Sequence, residues 1–147
     1  MIDKYLKDLE QVENVEAIAL YSMNNKLLDS WTDSNFNAKV LEEMSIHYFQ
    51  VFATLDLNVQ NYQEMVIAHE KGHFYSRIYP DILLIVVVKS TLEISLIRLI
   101  TNVKITELLH SRDLQKALKK STAENIDFLN KKNLDESETE YLKKMEI

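Results

Sequence analysis

The sequence predicts a single α+β domain in which helices cover both faces of a β-sheet. Residues 82–88 are seven consecutive aliphatic residues, too few to span a membrane and apolar on both sides of a strand. Stretches with helical and strand-like apolar spacing also alternate along residues 2–109. A strand buried on both faces needs a layer on each side, so the other elements must supply two layers.

The composition of the chain excludes several classes of protein and of binding site before any motif is considered. The 147 residues fit one domain, and the net charge of −6 argues against a general nucleic-acid binder, which needs basic surface to replace phosphate counterions. The single glycine, Gly72, excludes phosphate-binding glycine loops, and the absence of cysteine excludes disulfides and thiolate sites. Residues 1–11 lack the apolar core of a signal peptide, so we expect a cytoplasmic protein without an integral membrane segment.

The first half of the chain predicts a helix, a hairpin and a longer helix. Apolar residues at helical spacing predict a short helix over 2–12. Strands follow at 15–23 and 26–31, joined through Asn24 and Asn25, because Asn tolerates positive φ. A helix over 36–55 carries one apolar stripe at Val40, Leu41, Met44, Tyr48, Val51, Phe52 and Leu55. A second apolar arc comprises Ile46, Phe49 and Ala53, and we expect a second subunit to cover it.

The second half predicts three strands, a helix and an extension. Strands at 62–70, 73–79 and 82–88 are separated by turns at Lys71-Gly72 and Pro80-Asp81. Ser90 or Thr91 caps a helix that runs to about Leu109, with a predicted buried stripe of Leu92, Leu96, Leu99, Ile100 and Val103. We therefore divide the chain into a domain at 1–110 and a charged helical extension at 111–147. The extension is expected to break near 130–133 and to pack partly on the body; docking to a partner or a membrane surface is the alternative.

One literal motif suggests zinc chemistry. His69, Glu70 and His73 match H-E-x-x-H, in which two histidines share one helix face and bind the metal. Here strand-like residues flank the match, and Gly72 inside it is a turn residue. We therefore interpret it as a hairpin, and predict no metal, no cofactor and no catalytic residue. A small zinc-dependent hydrolase remains the alternative.

The order of the elements resembles that of the Roadblock/dynein light-chain family over residues 2–109. The stretches that carry the resemblance are VEAIALYSMNNKLLDSW, QEMVIAHEKGHFYSRIYPDILLIVVV and STLEISLIRLITNV. It implies an α-β-β-α-β-β-β-α domain with a five-stranded antiparallel sheet, the long helix on one face and the two other helices opposite. It also implies a homodimer, formed through the long helix and the strand at 62–70, with one sheet continuous across both subunits. Family members are adaptors and scaffolds, and several bind or activate Ras-like GTPases.

The expected function is therefore a non-enzymatic dimeric adaptor that binds and regulates a small Ras-like GTPase. An apolar edge strand is an aggregation hazard unless a partner pairs with it, which independently favours the dimer. The candidate interface residues are Ile46, Phe49, Ala53, Tyr62, Glu64, Val66 and Ala68. Besides the zinc hydrolase, a sensor module with a small ligand between sheet and helix stays open.

Overall fold

The computed structural model of the chain describes residues 1–55, 64–70 and 72–131, and at 51–55 and 123–131 it describes the backbone only. The described part contains five strands and five α-helices in one domain. The elements in chain order are α1 (Ile2–Tyr5), α2 (Lys7–Glu10), β1 (Val15–Ser22), β2 (Leu27–Thr32), α3 (Ala38–Leu55), β3 (Glu64–His69), β4 (Gly72–Ile78), β5 (Ile82–Val88), a 3-10 turn (Thr91–Glu93), α4 (Ile94–Leu109) and α5 (Arg112–Lys131).

The five strands form one antiparallel sheet in the order β2-β1-β5-β4-β3. All seven residues of β5 are buried, and β5 lies at the centre of the sheet. The predicted fold class and the central strand are confirmed. β2 and β3 lie at the two edges.

Each face of the sheet carries its own apolar cluster. On one face α3 contributes Leu41, Met44 and Tyr48, which pack over alternate residues of β1, β4 and β5. The opposite face is covered by α1, α2, α4 and the first part of α5, through Ile2, Leu9, Ile97 and Leu114 among others. Burial of aliphatic side chains on two faces supplies the main stabilising free energy of such a domain. The predicted two-layer covering is confirmed.

The α4 helix is rotated about its own axis relative to the prediction, so that a different side of it is buried. Its buried residues are Ile94, Ile97, Thr101, Ile105 and Leu108, whereas Leu92, Leu96, Leu99 and Val103 are exposed, and Ile100 is half-buried. Both sets recur at helical spacing, so periodicity alone could not choose between them. Two polar contacts accompany the observed rotation: the side chain of Asn14 donates to Glu93 at 2.9 Å, and Arg98 donates to Glu64 on β3. The predicted buried stripe is therefore wrong.

Local sequence signals place the turns correctly. Asn25, in the β1–β2 turn, has a φ of 63°, as the hairpin prediction requires. Ser90 caps the 3-10 turn before α4, since its Oγ accepts a hydrogen bond from Leu92 N at 3.2 Å. Gly72 has a φ of 150°, and a Cβ there would lie 3.3 Å from the carbonyl oxygen of Val88. The β3–β4 turn therefore needs glycine for its backbone angle and for its close approach to β5.

The two ends of the described chain differ in detail from the prediction. The N-terminal helix is two short helices, separated at Leu6, whose φ of −119° is not helical. Four of the apolar residues at helical spacing are nevertheless buried: Ile2, Leu6, Leu9 and Val12. The extension begins with α5, capped by Ser111, whose Oγ accepts from Leu114 N at 3.1 Å. Leu114 is buried in the core, so the start of the extension packs on the body; the boundary after residue 110 stays a prediction.

The two sheet edges are not equivalent. On β2, the backbone N–H of Ser30 donates to Asp29 Oδ1 at 2.9 Å, and Asp29 Oδ2 accepts from Ile2 N at 2.8 Å. The chain itself therefore occupies part of the β2 edge. In the described ranges, β3 pairs only with β4, so the outer edge of Glu64–His69 has no neighbouring strand.

Replacing Gly72 with alanine should lower the free energy of unfolding by about 1–2 kcal/mol, because alanine disfavours this φ and its methyl group would crowd β5. Chemical denaturation monitored by circular dichroism measures the loss. Ser30→Ala, on the opposite edge strand, is the control and should change stability by less than about 0.5 kcal/mol. Equal stability of Gly72→Ala and the unmodified chain would contradict the requirement for glycine.

Candidate functional site

The predicted interface residues of α3 lie on its outer side and on the flank nearest β2. Ile46 is 53% exposed. Phe49 is half-buried, with its ring edge-on to Tyr21 at a centroid separation of 5.1 Å. Phe49 is therefore partly used inside the chain. The side chain of Ala53 and all of Tyr62 lie outside the described residues.

The predicted interface residues of β3 lie on the other face of the sheet. Val66 pairs with Tyr75, whose side chain belongs to the cluster beneath α4, so Glu64, Val66 and Ala68 share that face. Val66 is 45% exposed and Ala68 is exposed. Within one chain, the α3 and β3 candidates therefore do not form one continuous patch.

Glu64 is the centre of a polar network that ties the β3 edge to α4. Its carboxylate accepts from Arg98 Nε at 2.8 Å and Arg98 Nη2 at 2.6 Å, and from Tyr75 Oη at 2.6 Å. Arg77 Nη1 lies 3.8 Å from Glu64 Oε2 and donates to Asn102 Oδ1 at 2.7 Å. The hydrogen bonds from Arg98 hold the pKa of the Glu64 carboxyl below its usual range, and burial raises the pKa of Tyr75 to about 12. The network therefore fixes the position of β3 relative to α4.

Four large apolar side chains on or just before α4 are exposed, although the sequence analysis predicted that they would be buried. Leu92 is 86%, Leu96 48%, Leu99 60% and Val103 64% exposed. Leu96, Leu99 and Val103 follow one another on α4 at steps of three and four residues, as in a seam between two helices, and Leu92 lies just before the helix in the 3-10 turn. They lie on the side of α4 that points away from the sheet, because Ile94, Ile97 and Thr101 face the core. We refer to Leu92, Leu96, Leu99 and Val103 as the α4 stripe.

A cleft of about 600 Å³ separates α3 from β2 on the sheet face that α3 covers only partly. Its lining is mainly apolar, with Tyr21 and Leu27 from the hairpin and Leu41, Ile46 and Phe49 from α3. The polar lining residues are Asn25, Ser30, Glu42 and Ser45. Of these, Ser45 is satisfied internally, since its Oγ donates to Leu41 O at 2.8 Å. We refer to this space as the α3–β2 cleft.

The H-E-x-x-H match lies in a hairpin, as predicted. His69 ends β3 on the α3 side, where its ring contacts His47 and Phe74 at centroid separations of 5.4 and 5.9 Å. His73 is the second residue of β4 and shares the opposite face with Tyr75. The two histidines therefore point to opposite faces of the sheet and cannot hold one ion together. In residues 1–55, 64–70 and 72–131, no group of three or more His, Asp or Glu side chains could hold a metal ion.

Among the helices that the structure describes, none combines the length and the apolar character needed to cross a membrane.

No protein-family model matches the sequence. No curated protein matches it either. Among solved structures, the chain is similar to a Roadblock/LC7 domain from Streptomyces avermitillis, with a TM-score of 0.55, 14% identity, and coverage of 73% of this chain and 97% of that domain. The fold is that of a Roadblock/LC7 domain. The resemblance stated from the sequence is thus confirmed at the level of the fold.

A second solved structure, MglC from Myxococcus xanthus, aligns with a TM-score of 0.48 and 15% identity, over 81% of this chain and 98% of that one. That score is too low to support an inference. At 14% identity, the similarity to the Streptomyces domain establishes the Roadblock fold alone.

Replacing Glu64 with glutamine should lower the melting temperature at pH 7 by roughly 2–4 °C, because the charge-assisted bonds from Arg98 are lost. The folded-state pKa of Glu64 is depressed, so its contribution is fully present above the unfolded pKa of about 4.3 and is lost progressively as the pH falls from there through the lower folded-state pKa. Thermal unfolding at pH 7 and pH 3 measures both. Glu70→Gln, in the exposed turn, is the matched control. An equal loss at pH 3 would show that shape, and not charge, is responsible.

Proposed function

We propose that the protein is a non-enzymatic cytoplasmic adaptor that forms a homodimer through α3 and β3 and binds a small Ras-like GTPase. The observation that carries the proposal is the β3 edge, an apolar strand with no neighbouring strand in the described residues, in a domain with the Roadblock fold. The class of partner comes from the family resemblance.

The β3 edge supports the dimer through its backbone and its side chains. An unpaired edge presents N–H and C=O groups that a second copy of the same strand can satisfy. Val66 and Ala68 are exposed on one side of this edge, and pairing would remove part of their apolar surface from water. On the other face, α3 offers Ile46, so the helices of two copies can pack together above the joined sheet. In this proposal Ile46 belongs to the helix layer of the interface, and Val66 and Ala68 belong to its sheet layer.

The α4 stripe supports the binding of a further protein. It lies on the face of the sheet opposite α3, so a dimer built through α3 and β3 leaves it free. Basic groups near it are already paired, Arg98 with Glu64 at 2.6 Å and Lys104 with Asp8 at 3.4 Å, whereas Glu107 is exposed. The matching surface of a GTPase is therefore expected to be an apolar helix or ridge with a basic rim.

The geometry of the hairpin favours an adaptor over the zinc hydrolase. His69 and His73 face opposite sides of the sheet, so the motif lacks the shared helix face on which zinc proteases depend. An adaptor needs binding surfaces and no catalytic residues. The β3 edge and the α4 stripe are such surfaces.

Val66→Asp should convert the dimer to a monomer, because a desolvated carboxylate would stand inside the joined sheet. Ile46→Asp should weaken the helix layer and raise the dimer dissociation constant by about tenfold or more. Size-exclusion chromatography with light scattering measures both. Both side chains are about half exposed in the single chain, so the substitutions should leave the fold intact.

The control for the dimer is Leu99→Asp on α4, which is similarly exposed and lies outside the proposed interface. It should remain dimeric. A monomer for the unmodified chain, or a dimer unaffected by Val66→Asp and Ile46→Asp together, would contradict the interface.

The double substitution Leu96→Asp with Leu99→Asp should reduce GTPase binding by at least about tenfold while the dimer persists. Biolayer interferometry against a panel of Ras-like GTPases, loaded with GDP or a GTP analogue, measures the loss. Ser95→Asp, also exposed on α4 but outside the stripe, adds one carboxylate without removing leucine and should have a smaller effect. Equal binding by the double variant and the unmodified dimer would remove the α4 stripe as the partner surface.

A further inference from the structure

We propose that His47 and His69 of one chain together bind a divalent transition-metal ion of the Zn²⁺ class. The site lies on the α3 face of the sheet, where α3 meets the end of β3. It is distinct from the H-E-x-x-H match, whose second histidine faces the other side of the sheet. The assignment depends on neither the dimer nor the GTPase, because both ligands belong to one chain and lie outside the proposed interface residues and the α4 stripe.

The β3–β4 hairpin holds His69 on the α3 face. His69 is the last residue of β3 and pairs with Gly72. Its ring contacts Phe74, which is fully buried in the cluster beneath α3, at a centroid separation of 5.9 Å. The imidazole is half-buried, so packing restricts its position without removing it from solvent.

His47 approaches the same place from α3. It is exposed, and it lies about 100° around the helix from Ile46 and about 160° from Phe49. It does not line the α3–β2 cleft. Its ring centre stands 5.4 Å from that of His69, with the two ring planes at 70°. The pair therefore connects the helix to the edge strand on the flank of α3 that faces away from the cleft.

The separation of the two rings suits one shared ion. A bond of about 2.1 Å between zinc and a ring nitrogen places the ion roughly 3.2 Å from the centre of that imidazole. Two ring centres 5.4 Å apart then subtend roughly 115° at the ion, close to the roughly 109° of tetrahedral coordination. Rotation about the Cβ–Cγ bond redirects the nitrogens but hardly moves the ring centre, so both rings can point to one ion without a change in the backbone.

Each imidazole needs only one nitrogen for the metal. The other nitrogen of a metal-binding histidine is usually hydrogen-bonded to a neighbouring group, which orients the ring. A hydrogen bond at one nitrogen of either histidine is therefore compatible with coordination through the other. In the part of the chain that the structure describes, no third His, Asp or Glu completes the pair. The remaining coordination positions are left to water or a small anion, so binding is weaker than at a closed four-residue site.

The ligand type and the neighbouring charges select the class of ion. Imidazole nitrogen suits Zn²⁺, Ni²⁺ and Cu²⁺, whereas Mg²⁺ and Ca²⁺ prefer oxygen ligands. Glu43 lies one turn before His47 on α3, and Glu70 follows His69; both glutamates are exposed. Their negative charge favours a divalent cation near the pair.

An ion held by both rings would link α3 to the end of β3. The two histidines come from different elements and meet only in the folded chain, so the ion binds the folded state in preference to the unfolded state. Zinc should therefore stabilise the domain as well as bind to it.

Isothermal titration of the full chain with ZnCl₂ tests the site. His47→Gln and His69→Gln should each weaken zinc binding by at least about tenfold. The double variant should bind little more weakly than either single variant, because one imidazole alone forms no chelate. Absence of zinc binding by the unmodified chain would overturn the proposal.

The two other histidines of the chain are the matched controls. His110 is exposed like His47, and its Nδ1 lies 2.8 Å from Thr106 O. His73 lies in the same hairpin as His69 but on the opposite face. His73→Gln and His110→Gln should bind zinc as the unmodified chain does. Equal affinities in all four single variants, or a loss confined to the two controls, would overturn the site.

Two further readouts separate a metal ligand from a residue that only supports the fold. Zinc at about 100 times its dissociation constant should raise the Tm of the unmodified chain by about 5–10 °C and change that of the double variant by less than about 1 °C. Long-range ¹H–¹⁵N NMR should show zinc-dependent shifts at the ring nitrogens of His47 and His69. Shifts at His73 or His110 instead would overturn the assignment of the ligands.

Discussion

The rest of the structure depends on a central strand whose side chains are apolar on both faces of the sheet, so that both faces must be shielded from water. Every residue of β5 is buried, with Ile82, Leu84, Val86 and Val88 in one cluster and Leu83, Ile85 and Val87 in the other. At about 1.5–3 kcal/mol for each fully buried aliphatic side chain, this strand alone represents roughly 10–20 kcal/mol of apolar burial. The α3 helix on one face, and α1, α2, α4 and α5 on the other, are the layers that this burial requires.

The fold could be predicted because its signals are local. A continuous aliphatic run identifies β5, and single residues such as Asn25, Gly72 and Ser90 identify turns and a cap from their own backbone preferences. The rotation of α4 could not be predicted in this way. The helix carries two apolar stripes at the same period, and which of them is buried depends on how the helix packs on the sheet and on α1 and α2, which is a property of the assembled domain.

The surfaces were harder to predict than the fold for the same physical reason. The network around Glu64 joins residues separated by 11 and 34 positions, and no sequence spacing signals it. Phe49 looks free on a helical wheel, yet Tyr21 from the hairpin meets its ring. The α3–β2 cleft exists because one helix is too narrow to cover a five-stranded sheet to its β2 edge, which is a property of the assembled layers. The H-E-x-x-H match failed as a metal signal because alternation along strands separates its histidines.

The unequal sheet edges have a consequence for how far assembly can proceed. The β2 edge has its Ser30 amide engaged by Asp29, which also holds the backbone of Ile2, so this side resists a new strand. Each chain then offers one joinable edge, at β3. Two antiparallel copies that meet there use the same surface twice, and such an isologous contact closes on itself with two-fold symmetry. A sheet with two open edges could add chains without limit, whereas pairing through a single open edge would stop at a finite particle after one association step.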